Sequence, residues 1–338
     1  MRGFIHVLVT GAFPLVFSLL SDIYGPKHRA VVSSFVQIST GVGLAAGQGV
    51  SGIVGPVLGW RWPFVLVAVP AIVLAVLMMF LTKEPIRGYN ELDHTDNNVS
   101  HPQQYSEHIN WSKLKVLLRT PTNVLCILQG LPGCLPWGIL LTFLNDFLAQ
   151  EKGISVAKAT SIVLMVGIGG ACGVIAGGLL GQYLYNKAKW RMSVFIGTCT
   201  VFASFPLWFL VNASVKSSIQ RAYLAAFGAG ALSSTVGPNI RAMIMNVNEP
   251  ETRGVALALQ STLDDLGKGL GPALVAALIS RLGRSQAFNI SAAGWIPCGL
   301  LLLLTGFTLS HDEQLMRYRI MAPTVVSGEM EMSERGPH

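Results

Sequence analysis

The stretch Asp22-Ile23-Tyr24-Gly25-Pro26-Lys27-His28-Arg29 decides the fold, because Asn246-Val247-Asn248-Glu249-Pro250-Glu251-Thr252-Arg253 repeats its layout about 224 residues later. Each copy has a polar residue and a Pro-x-x-Arg turn. Each is followed by an apolar stretch with glycines at matching depths, Gly43 and Gly47 in the first and Gly267 and Gly271 in the second. A pattern recurring at so long a spacing marks a duplicated unit, and when the unit is a hydrophobic span the duplication predicts a transporter-like bundle of two related halves. The halves are unequal. Four apolar spans precede the second copy, beginning near Pro121, whereas one span lies between Met1 and the first copy. By the repeat, roughly 100 residues, three helices with their loops, are expected to be absent from the N-terminus.

Composition points the same way. With 51% hydrophobic and 12% charged residues and a mean hydropathy of +0.52, the chain has too little polar surface for a water-soluble globule of this length. Its five cysteines, Cys126, Cys134, Cys172, Cys199 and Cys298, fall inside apolar segments and read as small packing residues rather than a disulfide framework.

Hydropathy predicts an all-α, polytopic membrane protein with spans at about 3–21, 30–56, 62–82, 121–150, 157–185, 191–212, 220–245, 252–280 and 288–310. Each is long enough, at about 1.5 Å per residue, to cross roughly 30 Å of hydrocarbon. If the loop at 22–29 is cytoplasmic, fifteen Lys and Arg residues, Arg241 among them, gather on that side against eight on the other. That asymmetry predicts a cytoplasmic C-terminus. The net charge of +7 is then topology and contact with lipid headgroups, and nothing suggests nucleic acid. Arg2 followed by an apolar run also resembles a signal peptide, but no small-x-small cleavage site follows it and the repeat aligns it with a span.

The expected organisation is a partial N-terminal bundle of three spans over 1–82, a cytoplasmic linker over 83–120, a six-helix bundle over 121–311 and a cytoplasmic tail over 312–338. In the linker, Asp93, Asp96, Asn97 and Gln103 offer no periodic apolar face. His94, His101 and His108 recur every seventh residue, but no acidic or cysteine cluster completes a metal shell. Its end, Trp111 to Arg119, mixes apolar and basic residues and predicts a short interfacial helix.

The turn at Asp22–Arg29, the Gly59-Trp60-Arg61-Trp62-Pro63-Phe64 lead into a span, the central linker and the Pro250-x-x-Arg253-Gly254 turn together resemble the major facilitator superfamily. Glu84-Pro85-Ile86-Arg87-Gly88 with Glu91 is similar to its Spinster branch. The resemblance implies helices four to twelve of a twelve-helix fold, and a secondary, alternating-access transporter of a small organic solute or lipid, with no cofactor and no enzymatic chemistry. The alternative is a non-transporting truncated isoform or regulatory membrane protein of the same fold, completed by missing helices or a partner chain. In the superfamily an acidic residue at the position of Asp22 meets an arginine between helices two and three. Without that arginine Asp22 is expected to be a solvated helix-end carboxylate within reach of Arg29. Asp22, Arg29 and Arg253 are the expected gating residues. Lacking helices one to three, Ser33, Ser34, Gln37 and Gln48 are expected to face lipid and to favour misassembly.

Three constellations fit a transporter's needs. In Gln260-Ser261-Thr262-Leu263-Asp264-Asp265-Leu266-Gly267-Lys268, charges lie deep in a span, which implies a partner or a task. Lys268 can neutralise one carboxylate one turn away, leaving the other either to carry a coupling proton or, if the ion pair merely holds helices together, to lie in water. Adjacent positions point about 100° apart, so the two aspartates are not equivalent. In Gln129-Gly130-Leu131-Pro132-Gly133-Cys134-Leu135-Pro136-Trp137, two prolines predict a broken helix whose freed carbonyls line a cavity, or else a plain kink. The glycine-rich stretches 167–181 and 228–237, ending at Pro238-Asn239, predict close helix packing, with Asn239 as a further coupling candidate. Gln182 and Tyr183 stand where the superfamily usually has an acidic-basic pair. Asn212, in Asn212-Ala213-Ser214, is the expected glycan acceptor, since the sequons at Asn98 and Asn110 fall in the cytoplasmic linker.

Overall fold

The computed structural model describes residues 2–81, 111–213 and 218–334, and every regular element among them is helical. The histidine series and the sequons at Asn98 and Asn110 lie outside the described residues. In chain order the elements are α1 (Arg2–Ile23), α2 (Arg29–Leu58), α3 (Trp62–Leu81), α4 (Trp111–Arg119), α5 (Pro121–Leu128), α6 (Gly130–Thr142) and α7 (Leu144–Gln150). There follow α8 (Val156–Lys187), α9 (Lys189–Asn212), α10 (Ile219–Ser234), α11 (Val236–Val247), α12 (Pro250–Leu282), α13 (Arg284–Ala292) and α14 (Trp295–Glu334).

Prolines explain two of the breaks. The expected span over 220–245 divides at Thr235, where Pro238 has no N–H to offer the Ser234 carbonyl, and the span over 121–150 divides at Gln129, where Pro132 does the same to Leu128. The second break is slight: Gln129 stays in the right-handed helical region (φ −61, ψ −25), and the Gly133 N–H still reaches its carbonyl at 3.0 Å.

Among the described residues five helical stretches are long and apolar enough to cross a membrane: Trp62–Leu81, Pro121–Thr142, Val156–Lys187, Lys189–Asn212 and Arg284–Ile320. Of the other expected spans, α12 carries Asp264, Asp265 and Lys268 in its middle, and the stretch over 220–245 is split into α10 and α11. At the other extreme α14 runs on past the expected span end near 310, so the expected tail begins as ordered helix with Asp312 and Glu313 buried.

Small residues set the closest packing. A Cβ at Gly169, Gly173 or Gly177 of α8 would land on the backbone of Phe227, Ala231 or Thr235, one turn at a time along α10. Steps of four keep these glycines on one helix face, which lets two backbones approach. The N-terminal helices dock on this frame through α1 against α12 and α2 against α8 and α11. Here the lipid-facing expectation for α2 is corrected. Ser33 and Ser34 are buried, with Ser34 against Gly178 of α8, and Gln37 fills the space beside Gly237 of α11. These polar groups face a partner helix, as polar side chains in hydrocarbon must. The Gln48 side chain lies outside the described residues. Two buried clusters form the core: one around Phe17, Met243, Leu257 and Leu302, the other around Phe147, Ile162, Leu207 and Phe288.

Candidate transport cavity and arginine clasp

Both Pro-x-x-Arg turns lie at the same end of the bundle, and their arginines cross. Arg29 stays with its own copy by donating to the Ser21 carbonyl (2.8 Å) and the Tyr24 carbonyl (3.1 Å). With Nη1 it reaches the second copy, at Asn246 Oδ1 (2.8 Å) and the Met245 carbonyl (3.2 Å). Arg253 does the mirror of this: Nε donates to the Met245 carbonyl (2.8 Å) and the Asn248 carbonyl (3.1 Å) of its own copy. Its Nη1 crosses to Ser21 Oγ (3.2 Å) and to Asp22 Oδ1 (3.6 Å). Ser21, Asp22 and Tyr24 correspond in the repeat to Met245, Asn246 and Asn248, so the crossing is symmetric residue by residue. Planar guanidinium forks suit this, since each spends several fixed donors on carbonyls that end a helix. Asp22 is therefore corrected: it is 6% exposed and pairs with Arg253 rather than lying solvated.

Two groups outside the copies brace the clasp. Gln182 of α8 accepts the Ala30 N–H on Oε1 (2.9 Å) and donates to the Pro26 carbonyl (3.1 Å), capping the start of α2. A neutral amide thus holds the position where an acidic-basic pair is usual. On the second copy Lys113 of α4 reaches Glu249 (3.3 Å) and Glu251 (3.5 Å), and burial pushes the Glu251 carboxyl above the ordinary carboxylate range. At the same end Asp312 accepts the Thr122 N–H (2.9 Å) at the start of α5, and Glu313 takes Lys189 (3.0 Å) and the Tyr185 hydroxyl (2.7 Å). Hydropathy placed these two carboxylates in a tail. Their spacing from Thr122 and Lys189 in the chain gave no signal of the contact.

Between the two cores lies a cavity of about 260 Å³. From Arg253 to Asp264 along α12 is roughly 16 Å at 1.5 Å per residue, so the cavity sits about midway through the bundle. Gln129, Trp137, Gln260, Asp264 and Lys268 line it, and Asp265 does not. Asp265 pairs outward with Lys268 at 3.1 Å, both about half exposed. Asp264 instead accepts from Gln260 Nε2 at 2.5 Å, and its carboxylate occupies the space that a Cβ on Gly130 would need. Gln260 is 3% exposed, and its Oε1 has no hydrogen-bond partner among the described residues.

The broken-helix expectation holds only in part. Gln129 lines the cavity but is engaged: Nε2 donates to the Cys126 carbonyl (3.1 Å) and Oε1 accepts from the Cys298 thiol (3.2 Å). The carbonyl of Gly133 is taken by Trp295 Nε1 (3.1 Å), and Trp137 stands edge-on to Trp295. Asn239 does not reach the cavity. Fully buried, it donates to the Gly177 and Thr235 carbonyls, both at 2.8 Å, and pins α11 to α8. Asn212 ends α9 with its amide exchanged against that of Asn289 (2.7 and 3.1 Å). Sequence reasoning missed Arg241. Counted only among the cytoplasmic cations at the end of the 220–245 span, it belongs to α11 and lines the cavity. The sign available beforehand was the apolar run Ala242-Met243-Ile244-Met245 that follows it.

The profile of a family described as Major Facilitator Superfamily matches residues 1–272. Similar curated proteins include the hexuronate transporter of Bacillus subtilis (strain 168), 23% identical over 86% of this chain and 70% of that protein. The cis,cis-muconate transport protein of Acinetobacter baylyi is 23% identical over 88% of this chain and 69% of its own length. Protein spinster homolog 1 of Xenopus tropicalis is 22% identical over 85% of this chain but 56% of its own length. Among solved structures, an inward-facing, unoccupied bacterial homologue of the human lysosomal transporter Spinster superposes with a TM-score of 0.53 at 17% identity. That likeness covers 88% of this chain and 74% of the other. With the profile running through both copies of the repeat and the helices laid out around a midway cavity, the chain belongs to the Major Facilitator Superfamily of membrane transporters.

Proposed function

We propose that this multi-pass membrane protein, a transporter rather than an enzyme, moves a small organic solute or lipid by alternating access, with Asp264 carrying a coupling proton. The moving bodies are residues 1–82 and 121–311, joined by the linker 83–120, and the clasp closes the cytoplasmic end. One observation carries the reading. A cavity midway through the bundle holds a carboxylate with no cation in direct contact among the described residues, while its neighbour Asp265 is paired outside it. A buried ionisable group in such a place marks a pathway or a proton site more often than a structural tie. Relatives named for hexuronate and cis,cis-muconate support a soluble cargo.

Cys134 lines the cavity and reports on access without a known substrate. With the other four cysteines replaced by alanine, an impermeant maleimide should label Cys134 from the face opposite the clasp. Arg253→Ala should open labelling from the clasp face as well. Labelling that is blind to Arg253→Ala would sink the alternating-access reading.

A further inference from the structure

Arg241 gives the cavity a chemical preference. Its guanidinium is half-buried on the cavity wall, one face lying 4.9 Å over the Phe17 ring. Nη1 donates to the Gly237 carbonyl of its own helix at 3.3 Å. That leaves most of its five N–H donors without a described acceptor, and no carboxylate among the described residues pairs with it directly. Asp264 attracts it through space, yet Asp264 bonds to Gln260.

Resting on the transport reading above, we propose that the cargo is an organic anion, its carboxylate or phosphate oxygens held by Arg241 while Asp264 carries a proton. Charge decides this. Lys268 is balanced by Asp265, so Arg241 and Asp264 set the cavity's charge between them. With Asp264 ionised they sum to zero, and an anion taken by Arg241 would leave that carboxylate uncompensated. Once Asp264 is protonated the cavity is a monocation, and an anion restores neutrality. A neutral cargo would leave the guanidinium unmatched, and a cationic one would be repelled. The remaining groups around Asp264 are the thiols of Cys134 on α6 and Cys298 on α14, together with uncharged Gln37, Gln129 and Gln260. The free Oε1 of Gln260 supplies what the protonated form needs: by turning its amide it accepts the Asp264 hydroxyl. A volume of about 260 Å³, at the lower edge of small-molecule sites, admits a small acid whole or the head of a lipid. Trp137 and Ile240 offer apolar wall beside it.

Binding of anion and proton is then reciprocal, each strengthening the other. The test uses purified protein and two matched probe pairs, D-glucuronate against D-glucose and lysophosphatidate against monoacylglycerol, with binding read by thermal stabilisation and tryptophan fluorescence at pH 5.5 and 7.5. The anion of at least one pair should bind at least tenfold more tightly than its neutral partner, and more tightly at the lower pH. A response in the first pair assigns a soluble acid, and one in the second assigns a lipid headgroup. Arg241→Gln should abolish the preference and Arg241→Lys should restore part of it. Asp264→Asn should leave anion binding strong and independent of pH. Neutral probes binding as well as anions, no response to either anion, or a preference that survives Arg241→Gln would each overturn the proposal. If Arg241→Gln fails to fold, a pH dependence unchanged in Asp264→Asn overturns it. Clasp-dependent labelling of Cys134 stands or falls separately, so a failure here leaves the alternating-access reading to its own test.

Discussion

The two copies of the repeat share a pattern and differ in what it touches. At their turns they are nearly interchangeable: each arginine takes two carbonyls of its own copy and crosses to the other. One exchange breaks the symmetry, since Asp22 stands where the second copy has Asn246. Farther along they diverge. In α12, Gly267 lies against Cys134 and the Leu131 carbonyl, and Gly271 against Gly138, so both glycines admit α6. In α2 the matching Gly43 and Gly47 have nothing within 4 Å among the described residues. A small-residue pattern therefore marks where a helix is able to be approached. Whether it is approached depends on the neighbour.

The largest break in the symmetry should come from removing each arginine in turn. Arg253→Ala takes the cation from beside buried Asp22 and should cost about 3–5 kcal/mol, as for a buried pair cut on one side. Arg29→Ala gives up crossing contacts to an amide and a carbonyl, and should cost about 1–3 kcal/mol. Denaturant unfolding in detergent, followed by tryptophan fluorescence, compares them. Equal losses would mean that Asp22 adds nothing to the second arm.

The glycines sharpen the divergence. Gly267→Ala drives a methyl to within 2.8 Å of Cys134 Cβ and should destabilise by about 1–3 kcal/mol. Gly43→Ala meets no atom, and the helix propensity of alanine should make it neutral or stabilising by up to about 1 kcal/mol. Melting temperatures of the two variants should move in opposite directions or, at the least, differ clearly. A Gly43→Ala variant as damaged as Gly267→Ala would show that the face of α2 is covered.

The smallest difference should lie in the braces. Gln182→Ala uncaps α2 beneath the first turn and should cost about 1 kcal/mol. Lys113→Ala removes ion pairs at the rim of the second and should cost between about 0 and 1 kcal/mol, less still at high salt. Stability measured at two ionic strengths separates them: salt should matter for the Lys113 variant's loss and not for that of Gln182.

Much of this was legible in the chain. Gly169, Gly173 and Gly177 announced a close face because spacing by four is a local property of a helix. That Lys268 pairs with one of its two neighbouring carboxylates was legible because only three or four residues separate them, whereas the choice of Asp265 was not. The helix from Trp111 to Arg119 likewise follows from its own mix of residues. What sequence could not supply was the meeting of distant segments. Asp22 was expected in water because its partner was sought among residues before Met1, whereas the partner comes from the second copy. Asn239 carries the same polarity as Gln260, yet one pins a helix and the other lines a cavity, and only the rotation of α11 against α8 decides between them. Arg241 was counted as a topology charge because it lies near a predicted span end, whereas it stacks on Phe17 and lines the cavity.

The crossed arginines have a kinetic consequence. Because each guanidinium grips its own turn and the opposite one at once, the halves cannot be peeled apart one contact after another; parting them by a few ångströms strains both forks together. Such a latch behaves as a coincidence detector, open only when both arms let go, and its opening rate should climb steeply with temperature instead of drifting.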